Sequence, residues 1–350
     1  MRPLILLVDV AFSEGKNWKS FLENQGYEVF TAGDRDTALC QCRLLQPDLV
    51  MLHDTLPEID GFELCQRLKE NPLNELIPIV LVKHSSDDAD IGRGRGAGAA
   101  EVWGTCTSLE EGLSRLQLLL QLNNYVDEQA KSVVLSLARS IEAKDSLTEG
   151  HSDRMVKYAI PLGESVGLRE RELQELRTAC LLHDVGKVAV PDSILRKPGP
   201  LGAEEMKIVR QHAVIGENIC APLKSLRGIL PVIRHHHERM DGSGYPDGLR
   251  GEQIPVKARI LQIADIYDAL TTDRPYRAAL SCEEALQILQ AEAARGWLDA
   301  YLVRKFTEMR RSGEGLRVGG RSMLASYYGI SPSRATWHFC QRWDAPASTL

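Results

Sequence analysis

The chain has 350 residues, of which 43% are hydrophobic and 26% charged; at about 100–200 residues per domain that is room for two or three cores. The balance excludes a collagenous chain or one disordered from end to end. With 42 Lys+Arg against 48 Asp+Glu the net charge is −6, which argues against duplex nucleic acid or an anionic membrane as partner and leaves room only for a local anion site.

No apolar run reaches the ~18 residues of a membrane span. Leu4–Val8 stops at Asp9 and is too short for a signal-peptide core. The eight cysteines form no CxxC pair, which predicts reduced thiols in a cytoplasmic protein and disfavours a thiolate metal site.

Up to residue 122, short apolar runs alternate with helix-length amphipathic stretches. Strands are predicted at Leu4–Val8, Glu28–Thr31, Leu49–Leu52, Ile79–Val82 and Glu101–Trp103, with helices near 18–25, 36–45, 61–70, 87–97 and 108–122. This rhythm predicts an α/β, doubly wound, parallel five-stranded sheet covered on both faces. Its functional crevice would lie beyond the carboxyl ends of the strands. Gly94-Arg95-Gly96-Ala97-Gly98-Ala99 fits the dinucleotide pattern G-x-G-x-x-A, but that site needs a strand before it and a helix after it. The order here is reversed, so the segment reads as a glycine-softened helix end.

Residues 108–145 contain no Pro and only Gly112, which predicts one long helix or two stacked ones. Leu109, Leu113, Leu116 and Leu120 form a short heptad-like stripe, read either as a homodimer seam or as an intramolecular packing face. Beyond it the apolar period stays helical, except at the Lys197–Pro200 turn and the Gly/Pro-rich loop 241–255. The second domain is therefore predicted to be all-α.

Six of the nine histidines lie between His151 and His237. In order, the candidate ligands are His151, His183 with Asp184, His212, His236 with His237, and Asp265. Imidazole and carboxylate suit Fe, Mn, Zn and related ions. A lone His-Asp pair or a His triplet carries little information. Here, however, His183-Asp184 directly follows the apolar run of Leu181-Leu182, where polar groups must be paired or metal-bound.

Two resemblances emerge. The stretches LILLVD, DLVMLHDTLPEIDGFE and IPIVLV resemble the receiver domain of response regulators. In that family an acidic pair holds Mg²⁺, an aspartate accepts the phosphoryl group, and a Ser/Thr and a Lys read it. The matching positions here hold Asp9-Val10, His53, Lys83 and Thr105, and Asp54 falls one residue late on the opposite face. This implies a pseudo-receiver, fold kept and phosphorylation lost, with phosphohistidine at His53 as the sharper alternative.

The stretches HDVGKVAVPDSILRKPGPL, HHHERMDGSGYPDGLRGEQIP and ARILQIADIYDALTTDRPYR resemble the HD-GYP domain, a phosphodiesterase family acting on the bacterial messenger cyclic di-GMP. The likeness spans about residues 126–309. It implies two divalent metals, iron or manganese: one on His151, His183, Asp184 and Asp265, the other on His212, His236 and His237, with Asp184 bridging. Asp184 and Lys187 would be catalytic, and Lys187, Arg274 and Arg277 would contact the substrate. Tyr245 of the Gly244-Tyr245-Pro246 signature is placed with these, though it could stack on guanine, meet a partner or brace the loop.

Some family members carry a Glu four residues before the first ligand histidine and bind a third metal. Leu147 stands there, which implies two metals and pGpG as main product, with weak further cleavage to GMP. Met240 replaces the family's usual Trp. A shared water would lose its proton near neutral pH, and activity would fall with pH through the histidine range.

The expected organisation is residues 1–122 receiver-like, 123–312 HD-GYP with its linking helix, and a C-terminal extension 313–350 without a functional reading. The expected function is a cytoplasmic cyclic di-GMP phosphodiesterase, with a signalling protein as a further partner at the receiver-like domain or the GYP loop. The competing readings are a messenger receptor without turnover and a phosphohydrolase of another nucleotide.

Overall fold

The computed structural model describes residues 2–8, 17–56, 60–83, 89–104, 107–144, 150–197, 199–273 and 278–312. The chain divides into two compact units, Met1–Ala130 with Pro222–Lys224, and Lys131–Ala221 with Ser225–Leu350.

The first unit holds strands β1 (Leu4–Val8), β2 (Glu28–Ala32), β3 (Leu49–His53), β4 (Ile79–Val82) and β5 (Glu101–Trp103). They pair in parallel in the order β2-β1-β3-β4-β5. Central strands covered on both faces are apolar throughout rather than alternating, as LILLV and IVLV are and as LVMLH is up to its last residue, His53. Successive side chains still part to opposite sides. Leu6, Val50, Leu52 and Leu81 join one core with Phe62 and Leu64, while Ile5, Leu7, Met51 and Val80 join the other with Trp18 and Trp103.

The covering helices are α1 (Trp18–Asn24), α2 (Arg35–Leu45), α3 (Gly61–Glu70) and α4 (Ala89–Gly96). Asn17, Asp34 and Asp60 cap the first three by accepting backbone N–H groups. The glycine-rich segment has a structural reason. A Cβ on Gly94 would run into Val102, so α4 lies on β5 only because that position is glycine.

A single helix, α5 (Leu109–Lys144), follows. The leucine stripe is an intramolecular face: Leu116 and Leu120 are buried in the Trp18–Trp103 core, with Leu109 and Leu113 packed against it. At the carboxyl end of the sheet, His53 is nearly buried and its Nδ1 stands 3.1 Å from the Thr55 carbonyl oxygen. The buried Lys83 pairs with Asp90 at 3.1 Å. Asp9, Val10 and Thr105 lie outside the described residues.

The second unit is helical: α6 (His151–Ser165), α7 (Glu170–Leu182), α8 (Asp192–Leu195), α9 (Ala203–Arg210), α10 (His212–Cys220), α11 (Leu230–His235), α12 (Val256–Thr271), α13 (Cys282–Ala294) and α14 (Ala300–Ser312). Met155, Leu162, Leu176, Cys180, Ile260 and Ile263 are fully buried on α6, α7 and α12, and these helices pack on one another. Among the described residues no helix is long and apolar enough to cross a membrane, and the six described cysteines are free thiols.

Candidate metal centre

The candidate ligands sit mostly at helix ends. His151 opens α6 after Gly150, whose φ of 71° suits glycine. His183 caps the C-terminus of α7, and Asp184 leads into a 3₁₀ turn, Val185–Ala189. A Cβ on Gly186 would strike the carbonyl oxygen of His212, so this glycine lets the turn lie against α10, where His212 is the first residue. His236 and His237 follow α11, and Asp265 lies within α12.

Two groups of donors result among the described residues: His151 with His183 and Asp265, and His212 with His236 and His237. Within each group the ligand atoms lie within 4.8 Å of one another. Asp184 stands between them, with Oδ2 3.3 Å from His183 Nε2 and Oδ1 3.5 Å from His212 Nε2.

The tautomers follow from the partners. Nδ1 faces a backbone carbonyl three residues earlier in His183 (Cys180, 3.1 Å), His212 (Val209, 2.6 Å) and His236 (Ile233, 2.6 Å). His151 Nδ1 instead meets Asp268 Oδ2 at 2.7 Å. Carbonyl and carboxylate oxygens only accept, so in each ring Nδ1 carries the proton and Nε2 offers a lone pair. His212 Nε2 and His236 Nε2 then face each other at 3.3 Å with no proton between them. Two facing lone pairs repel unless a cation sits between, so the donor set fits a metal ion.

The electrostatics agree. Burial pushes the Asp184 carboxyl up, but His183 and the Lys187 ammonium beside it outweigh burial and hold it well below the usual carboxylate range. Burial drives His212 down to about 4 and holds His236 and His237 well below the usual histidine range. The imidazoles are thereby kept in the neutral form that can ligate. Lys187, 4% exposed, places Nζ 2.6 Å from Asp184 Oδ2. A cavity of about 20 Å³ opens beside His151, His183, Asp184 and Lys187, room for roughly one water-sized species.

A family model of the response regulator receiver domain matches residues 5–103, and one of the HD domain matches residues 136–302. The cyclic di-GMP phosphodiesterase response regulator RpfG of Xanthomonas campestris pv. campestris is 35% identical over 317 residues, 83% of this chain and 84% of that protein. The chain belongs to the HD-GYP family, with an N-terminal receiver domain.

Two further relatives match shorter stretches. A cyclic di-GMP phosphodiesterase of Pseudomonas aeruginosa is 36% identical over 225 residues, 58% of this chain and 53% of that protein. A 3'3'-cGAMP-specific phosphodiesterase of Vibrio cholerae is 41% identical over 180 residues, 50% of this chain and 34% of that protein.

The HD-GYP signature loop folds back onto the ligand segment. Glu238 is wholly buried, and its carboxylate accepts the backbone N–H groups of Asp247, Gly248 and Leu249 at 2.7, 3.0 and 3.1 Å. Arg234 forks onto Asp247 at 2.7 and 2.9 Å and reaches Glu217 at 2.6 Å. The Arg234 hydrogen bonds hold the Asp247 carboxyl down to about 2. His235, first of the triplet, turns to Asp247 at 2.9 Å and joins neither donor group.

Sequence reading missed the residues that hold the ligands. Asp268, clamped by Arg154 at 2.6 and 2.9 Å, orients His151. Burial raises its carboxyl, while the hydrogen bond from His151 and then the Arg154 guanidinium bring it below the usual range. Its spacing of three from Asp265 puts both on one helix face, a readable clue. Glu142, on α5, accepts both the N–H and the hydroxyl of Ser152 at 3.2 and 2.9 Å, supplying the cap that Gly150 lacks. Arg274, Arg277 and Leu147 lie outside the described residues.

Proposed function

We propose that the chain is a two-metal phosphodiesterase that opens cyclic di-GMP to linear pGpG in the cytoplasm. The reading takes residues 1–122 as receiver, 123–312 as catalytic domain and 313–350 as an extension. The observation that carries it is Asp184, whose two oxygens turn to different histidine groups at 3.3 and 3.5 Å, as a carboxylate bridging two ions would. His151, His183 and Asp265 would hold one ion, and His212, His236 and His237 the other.

Divalent iron or manganese there would supply a water deprotonated near neutral pH and charge to stabilise the phosphoryl oxygens. The chain's own residues do the rest. Four histidines are fixed in the ligating tautomer by their Nδ1 partners, and Lys187 provides a buried cation beside Asp184 for a phosphate oxygen. Arg274 and Arg277 are assigned to the second phosphate or the bases. Each turnover consumes one water, breaks one P–O bond of the ring and returns a proton to the freed 3′ oxygen.

The N-terminal domain is read as a receiver that works without phosphorylation. His53 and Lys83 stand at the phosphoacceptor and Ser/Thr positions, and both are engaged locally, with Thr55 and Asp90. Such a domain serves as a docking module for a signalling protein.

The test is the full chain, purified without oxygen and loaded with Mn²⁺ or Fe²⁺, offered cyclic di-GMP and 3'3'-cGAMP in parallel. The expected result is accumulation of pGpG from cyclic di-GMP, with a rate unchanged by acetyl phosphate. Tight binding of cyclic di-GMP without cleavage by the loaded protein would replace the enzyme with a receptor. Faster cleavage of 3'3'-cGAMP would move the substrate assignment.

A further inference from the structure

The five histidines of the two donor groups are not held alike. Four have Nδ1 fixed by an acceptor: Asp268 for His151, and backbone carbonyls for His183, His212 and His236. Among the described residues the ring of His237 makes no such hydrogen bond. What it has is stacking. The Tyr245 ring lies 4.8 Å from it at an interplanar angle of 25°, and the His236 ring 4.0 Å away at 43°.

Tyr245 is itself firmly placed. Its backbone N–H donates to the His237 carbonyl at 3.2 Å, and the Arg210 guanidinium stands 4.9 Å from its ring centre. A Cβ on Gly244 would run into the backbone of Glu238 and Arg239, so the loop lies directly on the segment that carries the ligands. Glu238 ties the loop down through three N–H groups, and Arg234 through Asp247. With 8% of Tyr245 exposed, little ring surface is left for a guanine to cover.

We propose that Tyr245 is a positioning residue of the metal centre: its ring does for His237 what an Nδ1 hydrogen bond does for the other four histidines. The Gly-Tyr-Pro loop, anchored by Glu238, is then the outer wall of the His212–His236–His237 site and not a guanine platform. This rests on the two-metal reading above.

The experiment titrates the metal-free full chain with Mn²⁺, reading stoichiometry and affinity by calorimetry and the exchange-coupled pair by electron paramagnetic resonance. Removing a group that orients a metal ligand costs about ten- to a hundredfold in affinity. Tyr245→Leu is expected to lose that much at one Mn²⁺ and nothing at the other, with the coupled signal gone at limiting metal. Tyr245→Phe, which keeps the ring, restores both. At saturating Mn²⁺ the KM for cyclic di-GMP of Tyr245→Leu stays within about twofold of wild type, since no substrate contact is lost. Glu238→Gln weakens the same Mn²⁺ by a smaller factor and serves as an independent test should the leucine variant fold poorly.

Wild-type affinity for both ions in Tyr245→Leu, together with a raised KM, would overturn the proposal in favour of a substrate contact. A Tyr245→Phe chain as weak as Tyr245→Leu would overturn it too, by assigning the effect to the hydroxyl. A wild-type chain that takes up a single Mn²⁺ would remove the two-metal reading itself, and this proposal with it.

Discussion

The carboxyl end of the N-terminal sheet and the histidine cluster of the C-terminal unit both gather polar side chains at the ends of apolar elements, with opposite outcomes. At the sheet, His53 and Lys83 occupy positions where a receiver carries other chemistry, and they settle into local pairs with Thr55 and Asp90. The sheet tolerates this because Leu6, Met51, Leu52 and Val80 are buried whatever residue ends the strand. In the cluster there is no such freedom. His183, His212 and His236 are each at most 2% exposed, and burying that many polar groups is costly unless something satisfies them. The rim of a sheet leaves its end residues room for local pairs, whereas a buried cluster of imidazoles leaves each polar atom in need of a partner.

That contrast can be broken at several points. Short of removing a ligand itself, the largest effect is expected from Asp268→Asn, whose amide can present N–H to His151 and favour the wrong tautomer. Mn²⁺ affinity at the group containing His151 should fall about ten- to a hundredfold, while the group containing His212 keeps its affinity. Equal losses at both would mean that Asp268 acts on the fold at large.

A smaller effect is expected from pH. The His212 pKa is about 4 against an ordinary 6.5, so between those values the unfolded chain binds a proton that the folded chain does not. Stability from this group is complete above about pH 6.5 and declines as pH falls toward about 4. Neutral imidazole is also the ligating form, so acid loss of metal should be displaced below the ordinary histidine range expected from the sequence alone, because burial lowers these rings. Thermal unfolding and metal content followed from pH 7 to 4 test this, and a midpoint of metal loss at 6.5 would contradict it.

The smallest effect is expected from His53→Gln. Turnover should change by less than about twofold, because no step is assigned to this residue. Loss of activity together with loss of a phosphorylated form would make His53 a phosphohistidine and erase the contrast between the two regions.

Much of the fold was legible, and its gaps have physical reasons. Leu4–Val8 and Ile79–Val82 read directly as strands because burial on both faces leaves uninterrupted apolar runs. Strand β3 runs one residue further than the apolar pattern, since His53 continues the ladder opposite Val82, and a backbone hydrogen bond does not depend on side-chain polarity. The choice between one helix and two over 108–145 rests on long-range packing that no local period encodes. The candidate ligands carry recognisable side chains, and the two donor groups gather residues that the sequence alone offers. Three of their supports are backbone carbonyls, invisible to any residue pattern, and the inward turn of Glu238 is set by a loop that folds back from nine to eleven residues away.

The central claim is that Asp184 joins two cations into one hydrolytic centre. It is tested most directly by loading the metal-free full chain with Mn²⁺, counting bound ions and following cyclic di-GMP cleavage in wild type and Asp184→Ala. Two ions are expected in the wild type, at most one in the variant, with a loss of turnover of about a thousandfold or more, as when several kcal/mol of transition-state stabilisation are removed. Two ions and undiminished cleavage in Asp184→Ala would contradict it.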